Sequence, residues 1–141
     1  MKKILFIIGS LRAKSFNRQV ANVAKEIIGS RAEVEELDYS DLPLLNQDIE
    51  QPEPEVVARI RKAVAEADGL WIFTPEYNMS YPGHLKNLLD WMSRPVKFMD
   101  VLIHASFKGF CGIEVKKKQQ LVVGFYKFPE NFISIIRIPT H

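Results

Sequence analysis

The sequence has a single cysteine, Cys111, among 141 residues, so it offers neither an internal disulfide nor a cysteine-rich metal site. This usage is typical of the reducing cytoplasm, which is the location we expect. No apolar run approaches the roughly 20 residues that a membrane-spanning helix needs, so we expect no membrane association. The N-terminal MKKILFIIG has two lysines before a short apolar run. No small-residue cleavage site follows it, which favours a first strand over a signal peptide.

Two nucleotide-binding motifs are also missing. The chain lacks G-x-x-x-x-G-K-[ST], so hydrolysis of a nucleoside triphosphate by a P-loop would lack its lysine. It also lacks G-x-G-x-x-G, the fingerprint of Rossmann-type dinucleotide binding.

The one like-charge run, Lys116 to Lys118, is not interleaved with stacking aromatics, so no nucleic-acid partner is expected. His84 has no second histidine or cysteine at ligand spacing, so we expect no metal site and place His84 on the exposed surface.

Apolar runs and helical patterns alternate along the first two-thirds of the chain. We predict strands at 3–8, 33–38 and 69–74 and helices at 18–28, after Pro54, and at 84–92. This β-α-β-α-β-α order is typical of parallel strands joined by right-handed crossovers, which predicts an α/β fold.

The loop GSLRAKSFNR, residues 9–18, follows the first predicted strand and is rich in hydroxyl and guanidinium groups. Such groups, placed before a helix N-terminus, suit the oxygens of a phosphate monoester. The candidate phosphate ligands are Ser10, Arg12, Ser15, Asn17 and Arg18. An alternative is that Ser15 or Asn17 only caps the helix and that the arginines are solvated. The loop taken alone does not decide between these two interpretations.

A second loop, TPEYNMSYPG, follows the third predicted strand and should emerge at the same edge of the sheet as the first. Tyr77 and Tyr81 offer ring surface and Asn78 offers a donor and an acceptor, a composition that suits a flat aromatic ligand. An ordinary loop whose tyrosines cover the core is the alternative. Glu76 has no histidine or second carboxylate nearby in sequence, so we assign no catalytic acid or base.

Taken together, the two loops resemble those of the NADPH-dependent FMN reductases of the flavodoxin-like superfamily, which include azoreductase- and quinone-reductase-type enzymes. The shared motifs are G-S-x-R-x-x-S-x-N and P-E-Y-N-x-S-x-P-G-x-L-K-N-x-x-D-W, and the resemblance covers residues 1–95. It implies a three-layer sandwich with a parallel sheet. It also implies that the first loop encloses the FMN phosphate and that the second holds the isoalloxazine ring. The ring contacts would come from Pro75, Glu76, Tyr77 and Asn78.

The resemblance also implies an activity. Members transfer hydride from NADPH or NADH to FMN and pass the electrons to a small-molecule acceptor such as a quinone, an azo dye or free flavin. They act as homodimers or homotetramers, and the flavin carries the chemistry, so no catalytic side chain is required.

Residues 96–141 differ in character from the rest. They carry seven basic and three acidic side chains, and no Gly-rich loop of the family type follows Pro95. Possible strands are DVLIHASF, QQLVVGFYKF and NFISIIRI. We therefore divide the chain into a flavodoxin-like FMN-binding core, 1–95, and an atypical C-terminal segment of the same domain, 96–141. Frameshift, divergence and truncation all remain open. Two alternative functions follow, namely an FMN-binding electron-transfer module without reductase turnover, or an inactive truncated remnant.

Overall fold

A computed structural model describes residues 1–78 and 80–94 and the backbone of two later strands, 120–126 and 133–138. The helices and strands alternate as predicted through residue 92. In chain order they are β1 (Lys2–Ile8), α1 (Phe16–Ile28), β2 (Ala32–Glu36), α2 (Glu55–Glu66), β3 (Gly69–Thr74), α3 (Gly83–Met92), β4 (Gln120–Tyr126) and β5 (Ile133–Ile138). The strands predicted in QQLVVGFYKF and NFISIIRI are confirmed, whereas the one predicted in DVLIHASF lies outside the described residues.

The five strands form one sheet in the order β2-β1-β3-β4-β5. β1 pairs in parallel with β2 on one side and with β3 on the other, and Ile8 lies opposite Phe73. The predicted parallel sheet is therefore confirmed for the first three strands. β4 and β5 extend it in antiparallel pairing beyond β3.

Helices cover both faces of the parallel strands. Alternate residues of β1 and β3 point to opposite faces because a strand has a side-chain period of two. One face, which includes Leu5 and Ile72, packs against α2 and α3. The opposite face, which includes Phe6 and Phe73, packs against α1. This is the α/β three-layer arrangement that the sequence predicted.

Local sequence signals explain where the helices begin and end. Pro54 is the N-cap of α2, so the prediction that this helix begins after Pro54 is confirmed. Gly29 ends α1 with a φ of 52°, a left-handed conformation that favours glycine. Within the described part of the chain, no helix is both long and apolar enough to cross a membrane.

Candidate functional site

The site lies at the carboxyl edge of the parallel strands, where the first and second loops begin side by side. The Gly9 N–H donates to the carbonyl of Phe73 over 2.7 Å, which continues the β1–β3 pairing by one residue. A Cβ atom added to Gly9 would lie 2.4 Å from Thr74 Oγ1 and 2.6 Å from Thr74 Cβ. Glycine is required here because only a residue without a side chain permits this approach.

The first loop and the first turn of α1 contain buried polar side chains. Ser10, Ser15 and Asn17 are each 4–5% exposed. Ser15 is the N-cap of α1, and its Oγ accepts from the Asn17 backbone N–H at 3.1 Å. Ser15 therefore caps the helix, as the alternative interpretation of this loop held. The capping does not exclude a phosphate role, because a capping hydroxyl that accepts one hydrogen bond still has its own proton to donate.

The two arginines of this loop differ in their surroundings. Arg12 is exposed and forms no ion pair with any other described residue. Arg18, in the first turn of α1, forms an ion pair with Glu36 at the end of β2. In order to bind a phosphate, Arg18 would have to leave Glu36 or bind both groups at once. Arg12 has no such competing partner among the described residues.

The second loop contains a tight turn whose shape depends on Asn78. Tyr77 and Ser80 exchange two backbone hydrogen bonds, of 2.8 and 3.0 Å, and Asn78 between them has a φ of 51°. Asparagine tolerates this left-handed conformation better than most residues. Tyr77, the first residue of the turn, is 53% exposed and carries an aromatic ring.

Pro75 and Glu76 join β3 to this turn. The Thr74 hydroxyl donates to the Pro75 carbonyl at 3.1 Å. Glu76 is half-buried, and its Oε2 is buried without a hydrogen-bond partner in the described part of the chain. A buried carboxylate oxygen without a donor is costly, so this position would gain from a ligand that donates a hydrogen bond.

His84 does not lie on the exposed surface, so that prediction was wrong. The His84 ring is half-buried and stacks on Tyr39, with ring centroids 5.9 Å apart and planes inclined by 23°. Burial lowers the pKa of His84, which a hydrogen bond to the backbone of Gly9 partly offsets. The prediction failed because the second residue of a helix can face the sheet edge as readily as solvent.

Tyr39 was missed by the sequence analysis. Tyr39 follows β2, is 5% exposed, and its hydroxyl donates to the Ile8 carbonyl at 2.8 Å. Burial raises the pKa of this phenol well above its usual value. An available signal was its position just after the edge strand, since the carboxyl ends of all three parallel strands meet at the site.

The rest of the α3 motif fixes the long loop that follows β2. Asn87 Oδ1 accepts from the Leu45 backbone N–H, and Asn87 Nδ2 donates to the Pro43 carbonyl, each over 2.8 Å. Trp91 Nε1 donates to the same carbonyl, also over 2.8 Å. Trp91 is 1% exposed and lies in the core. In the K-N-x-x-D-W part of the motif, Asn87 and Trp91 therefore have a structural role, which is to hold the loop after β2.

The predicted site residues fit an FMN cofactor. The buried hydroxyl of Ser15 lies at the N-terminus of α1, where unpaired N–H groups and the helix dipole favour an anion. The exposed ring of Tyr77 and the unpartnered Oε2 of Glu76 lie on the neighbouring loop. Among the described residues there is no group of histidine, cysteine and carboxylate side chains able to hold a metal ion.

Comparison with known proteins identifies a family and several relatives that resemble this chain in sequence. The family model "NADPH-dependent FMN reductase" matches residues 2–113. A 2-hydroxy-1,4-benzoquinone reductase of a Burkholderia species is 47% identical over 93 residues, which are 66% of this chain and 51% of that protein. A quinone reductase of Escherichia coli K12 is 40% identical over 117 residues, 78% of this chain and 62% of that protein.

A solved structure agrees with the fold. FerB, a flavoenzyme NAD(P)H:(acceptor) oxidoreductase from Paracoccus denitrificans, superposes with a TM-score of 0.65 at 37% sequence identity. The match covers 69% of this chain and 53% of FerB. The predicted flavodoxin-like fold is thereby confirmed. The chain spans between about half and two-thirds of the length of these relatives.

Proposed function

Because the chain belongs to the NADPH-dependent FMN reductase family, we propose that it binds FMN and acts as an NAD(P)H-dependent oxidoreductase. The acceptor would be a small molecule, with a quinone favoured by the names of the two relatives above. When bound, FMN supplies the hydride-accepting and electron-passing chemistry. The observation that carries the proposal is the convergence of the two loops, joined by the 2.7 Å hydrogen bond between Gly9 and Phe73.

In this proposal the first loop binds the phosphate. Ser10, Ser15 and Asn17 supply short polar side chains from buried positions, and Arg12 supplies an exposed guanidinium without a competing carboxylate among the described residues. Arg18 adds positive charge at the same helix terminus while balanced by Glu36. A dianionic phosphate would be held by hydroxyl donors, backbone N–H groups and charge together.

The second loop orients the ring in this proposal. Pro75 and the turn from Tyr77 to Ser80 give the backbone a fixed course, so its N–H and C=O groups can recognise a heterocycle edge. Tyr77 offers ring surface, Glu76 offers a buried acceptor, and Asn78 maintains the turn. No side chain is assigned a proton-transfer role.

The proposal also covers the location of the protein in the cell and its oligomeric state. The use of NADPH or NADH and the single cysteine both suit a cytoplasmic protein. A homodimer or homotetramer is proposed from the family resemblance. Residues 1–95 would form the FMN-binding core and residues 96–141 the atypical C-terminal segment of the same domain.

The decisive experiment combines binding with turnover. Purified protein is mixed with FMN, passed through gel filtration and examined by visible spectroscopy, and NADPH oxidation is then followed with a quinone acceptor. We expect retained flavin bands and quinone-dependent NADPH consumption. Retained flavin without NADPH consumption would instead identify an electron-transfer module, and loss of all flavin would identify an inactive remnant.

A ligand pair tests the phosphate assignment separately. The double variant Arg12→Ala/Ser15→Ala should weaken FMN binding far more than riboflavin binding, because riboflavin lacks the phosphate. Equal weakening of both ligands would show that the first loop is only structural.

A further inference from the structure

The peptide group that joins Ile8 to Gly9, where β1 ends and the first loop begins, has both of its polar atoms in hydrogen bonds. Its N–H, from Gly9, donates to the carbonyl of Phe73 on β3 over 2.7 Å. Its C=O, from Ile8, accepts from the Tyr39 hydroxyl over 2.8 Å. The two groups point in opposite directions across a trans peptide, so hydrogen bonds on both sides fix the orientation of its plane. The next residue, Ser10, therefore follows a fixed peptide.

Only the hydrogen bond on the β3 side belongs to the backbone pairing of the sheet. On the other side β2 ends at Glu36, and the Leu37 N–H still donates to the Phe6 carbonyl at 2.8 Å. Parallel strands repeat their hydrogen bonds every two residues, so the Ile8 carbonyl faces the same side as that of Phe6. There it accepts from a side-chain hydroxyl in place of a backbone N–H. The hydrogen bond on this side of the peptide therefore depends on one side chain, that of Tyr39.

The backbone that carries Tyr39 is itself held by its neighbours. The Asp38 carboxylate accepts from the N–H and from the hydroxyl of Ser40, at 3.1 and 2.8 Å. Arg59, on α2, donates to the Asp38 carbonyl at 3.0 Å and to the Asp41 carboxylate at 2.7 Å. The segment from Asp38 to Asp41 is thus fixed to itself and to a helix, which gives the tyrosine a defined starting point.

The ring and the proton of Tyr39 are held as well. Tyr39 is buried, and its ring stacks on His84 at the start of α3, with centroids 5.9 Å apart. Burial raises the pKa of the phenol well above its usual value, so the hydroxyl keeps the proton that it donates. The hydroxyl is therefore a permanent donor to Ile8 near neutral pH.

We propose that Tyr39 is a positioning residue of the FMN site, whose hydroxyl fixes the peptide from which the phosphate-binding loop begins. This inference rests on the proposed function, since it takes the first loop as the phosphate site. Tyr39 acts through the backbone, and because the Gly9 N–H is already donated to Phe73, any backbone N–H that binds the phosphate lies beyond Gly9. Tyr39 stands outside both motifs of the family resemblance, so neither motif predicts this role.

The variant Tyr39→Phe removes the hydroxyl and keeps the ring on His84. We expect the dissociation constant of FMN to rise about tenfold, the size expected for one hydrogen bond, because the freed peptide must be reordered when the phosphate binds. The dissociation constant of riboflavin, which lacks the phosphate, should rise by no more than about twofold. Flavin titration of the wild type and the variant measures both.

Ser93→Ala is the matched control. The Ser93 hydroxyl also donates to a backbone carbonyl, that of Asp90 at 2.7 Å, but it lies at the far end of α3 from the second loop. We expect this variant to lose stability in urea as Tyr39→Phe does, and to bind FMN and riboflavin within about twofold of the wild type. If Ser93→Ala weakened FMN binding as much as Tyr39→Phe, lost stability would be the cause and the inference would be overturned.

A measurement on the wild-type protein without FMN is independent of both variants. With ¹³C at the tyrosine Cζ atoms, the Tyr39 resonance is assigned by Overhauser contacts between its ring and that of His84. Its hydroxyl proton should exchange with water much more slowly than that of Tyr77, which is 53% exposed. Equally fast exchange of the two hydroxyls would overturn the proposal even if Tyr39→Phe failed to fold.

The outcomes also separate this inference from the proposed function. If wild-type protein binds FMN and Tyr39→Phe binds it equally well, the positioning role is overturned and the proposed function stands. If Tyr39→Phe weakens FMN and riboflavin by the same factor, Tyr39 is merely structural and the positioning role is again overturned. If the wild type binds no FMN, the proposed function fails and the inference fails with it.

Discussion

Gly9, where the first loop begins, lies directly against Thr74 at the end of β3, and only a residue without a side chain fits there. We expect Gly9→Ala to destabilise the protein by about 1–3 kcal/mol, the usual range for overpacking, because its Cβ would overlap Thr74. FMN affinity should fall as well, since relief of the overlap requires β1 and β3 to separate at the site. Urea denaturation and FMN titration measure the two effects.

Gly83→Ala is the matched control for that substitution. A Cβ atom added at Gly83 meets nothing within 4 Å, and Gly83 is the first residue of α3. Alanine should therefore leave stability unchanged or raise it by up to about 1 kcal/mol. If both glycine variants lost equal stability, the overlap with Thr74 would not be the cause.

Several single residues show what a sequence can and cannot predict at this scale. Capping of α1 by Ser15 was one of the two interpretations of the first loop, and a short-range sequence pattern is enough to suggest it. Tyr39 was missed and His84 was predicted to be exposed, because Tyr39 binds a carbonyl group 31 positions away in the chain and His84 stacks on Tyr39, which is also remote from it in sequence. Pairs so distant meet only after the sheet has formed.

At the scale of elements, the N-terminus of α1 combines a structural role with the proposed binding role. Ser15→Ala removes the side-chain acceptor for the Asn17 N–H and should cost about 1 kcal/mol. Ser15→Asp should keep the cap and the stability, because aspartate is an equally good N-cap and suits the helix dipole. Its negative charge should nonetheless repel a phosphate.

The expected pattern for Ser15→Asp is therefore near-normal thermal stability with strongly weakened FMN binding and little change for riboflavin. Thermal denaturation and flavin titration of the two variants provide the measurement. FMN binding that is normal in Ser15→Asp would assign Ser15 to capping alone.

Helix α3 anchors the loop after β2 through the side chains of Asn87 and Trp91. Asn87→Ala would leave the Leu45 N–H without its acceptor and should destabilise the protein by about 1–3 kcal/mol. Proteolysis within residues 42–54 should become faster, because the loop loses one of its anchors. Lys86→Ala on the exposed side of the same helix breaks only the pair with Asp90 and should cost under about 0.5 kcal/mol. Equal losses in the two variants would contradict the anchoring role.

The order of the elements was predictable at this scale, whereas the direction of the last strands was not. Buried apolar runs identified β1 and β3, and helical spacing identified α1, α2 and α3. The segments that became β4 and β5 were predicted as strands, yet nothing in QLVVGFY specifies antiparallel pairing with β3. Direction follows from where the preceding chain delivers the strand, which is not a local property.

At the scale of the whole molecule, the direction of β4 decides which of its ends lies at the edge of the sheet that carries the site. Leu121, near the start of β4, lies opposite Thr74 at the end of β3. The chain therefore enters β4 at the site edge, whereas a parallel strand would leave the sheet there. The end of β4, Tyr126, lies opposite Gly69 at the start of β3 and therefore at the other edge of the sheet. The paired loops after β1 and β3 thus carry the proposed binding within the described structure.

At the opposite edge of the sheet, the carboxylate of Asp68 binds the start of β1. Its hydrogen bonds predict how the stability of the protein depends on pH. Asp68 accepts from the Lys3 backbone N–H and from Lys2 Nζ, at 2.8 and 2.9 Å, and these bonds lower its pKa. A carboxylate whose pKa is lowered by folding stabilises the protein above its usual pKa of about 4, and that stabilisation disappears as the pH falls through the lowered value.

Asp68→Asn should therefore be less stable than the wild type at pH 7, and the difference should shrink as the pH falls from about 4 towards 2. Urea denaturation of both proteins across this range measures it, with Asp48→Asn as a control that removes an exposed carboxylate elsewhere. FMN binding at pH 7 should be unaffected, because Asp68 precedes β3 and the site follows it. A stability difference that stayed constant with pH would show that Asp68 acts by its shape and not by its charge.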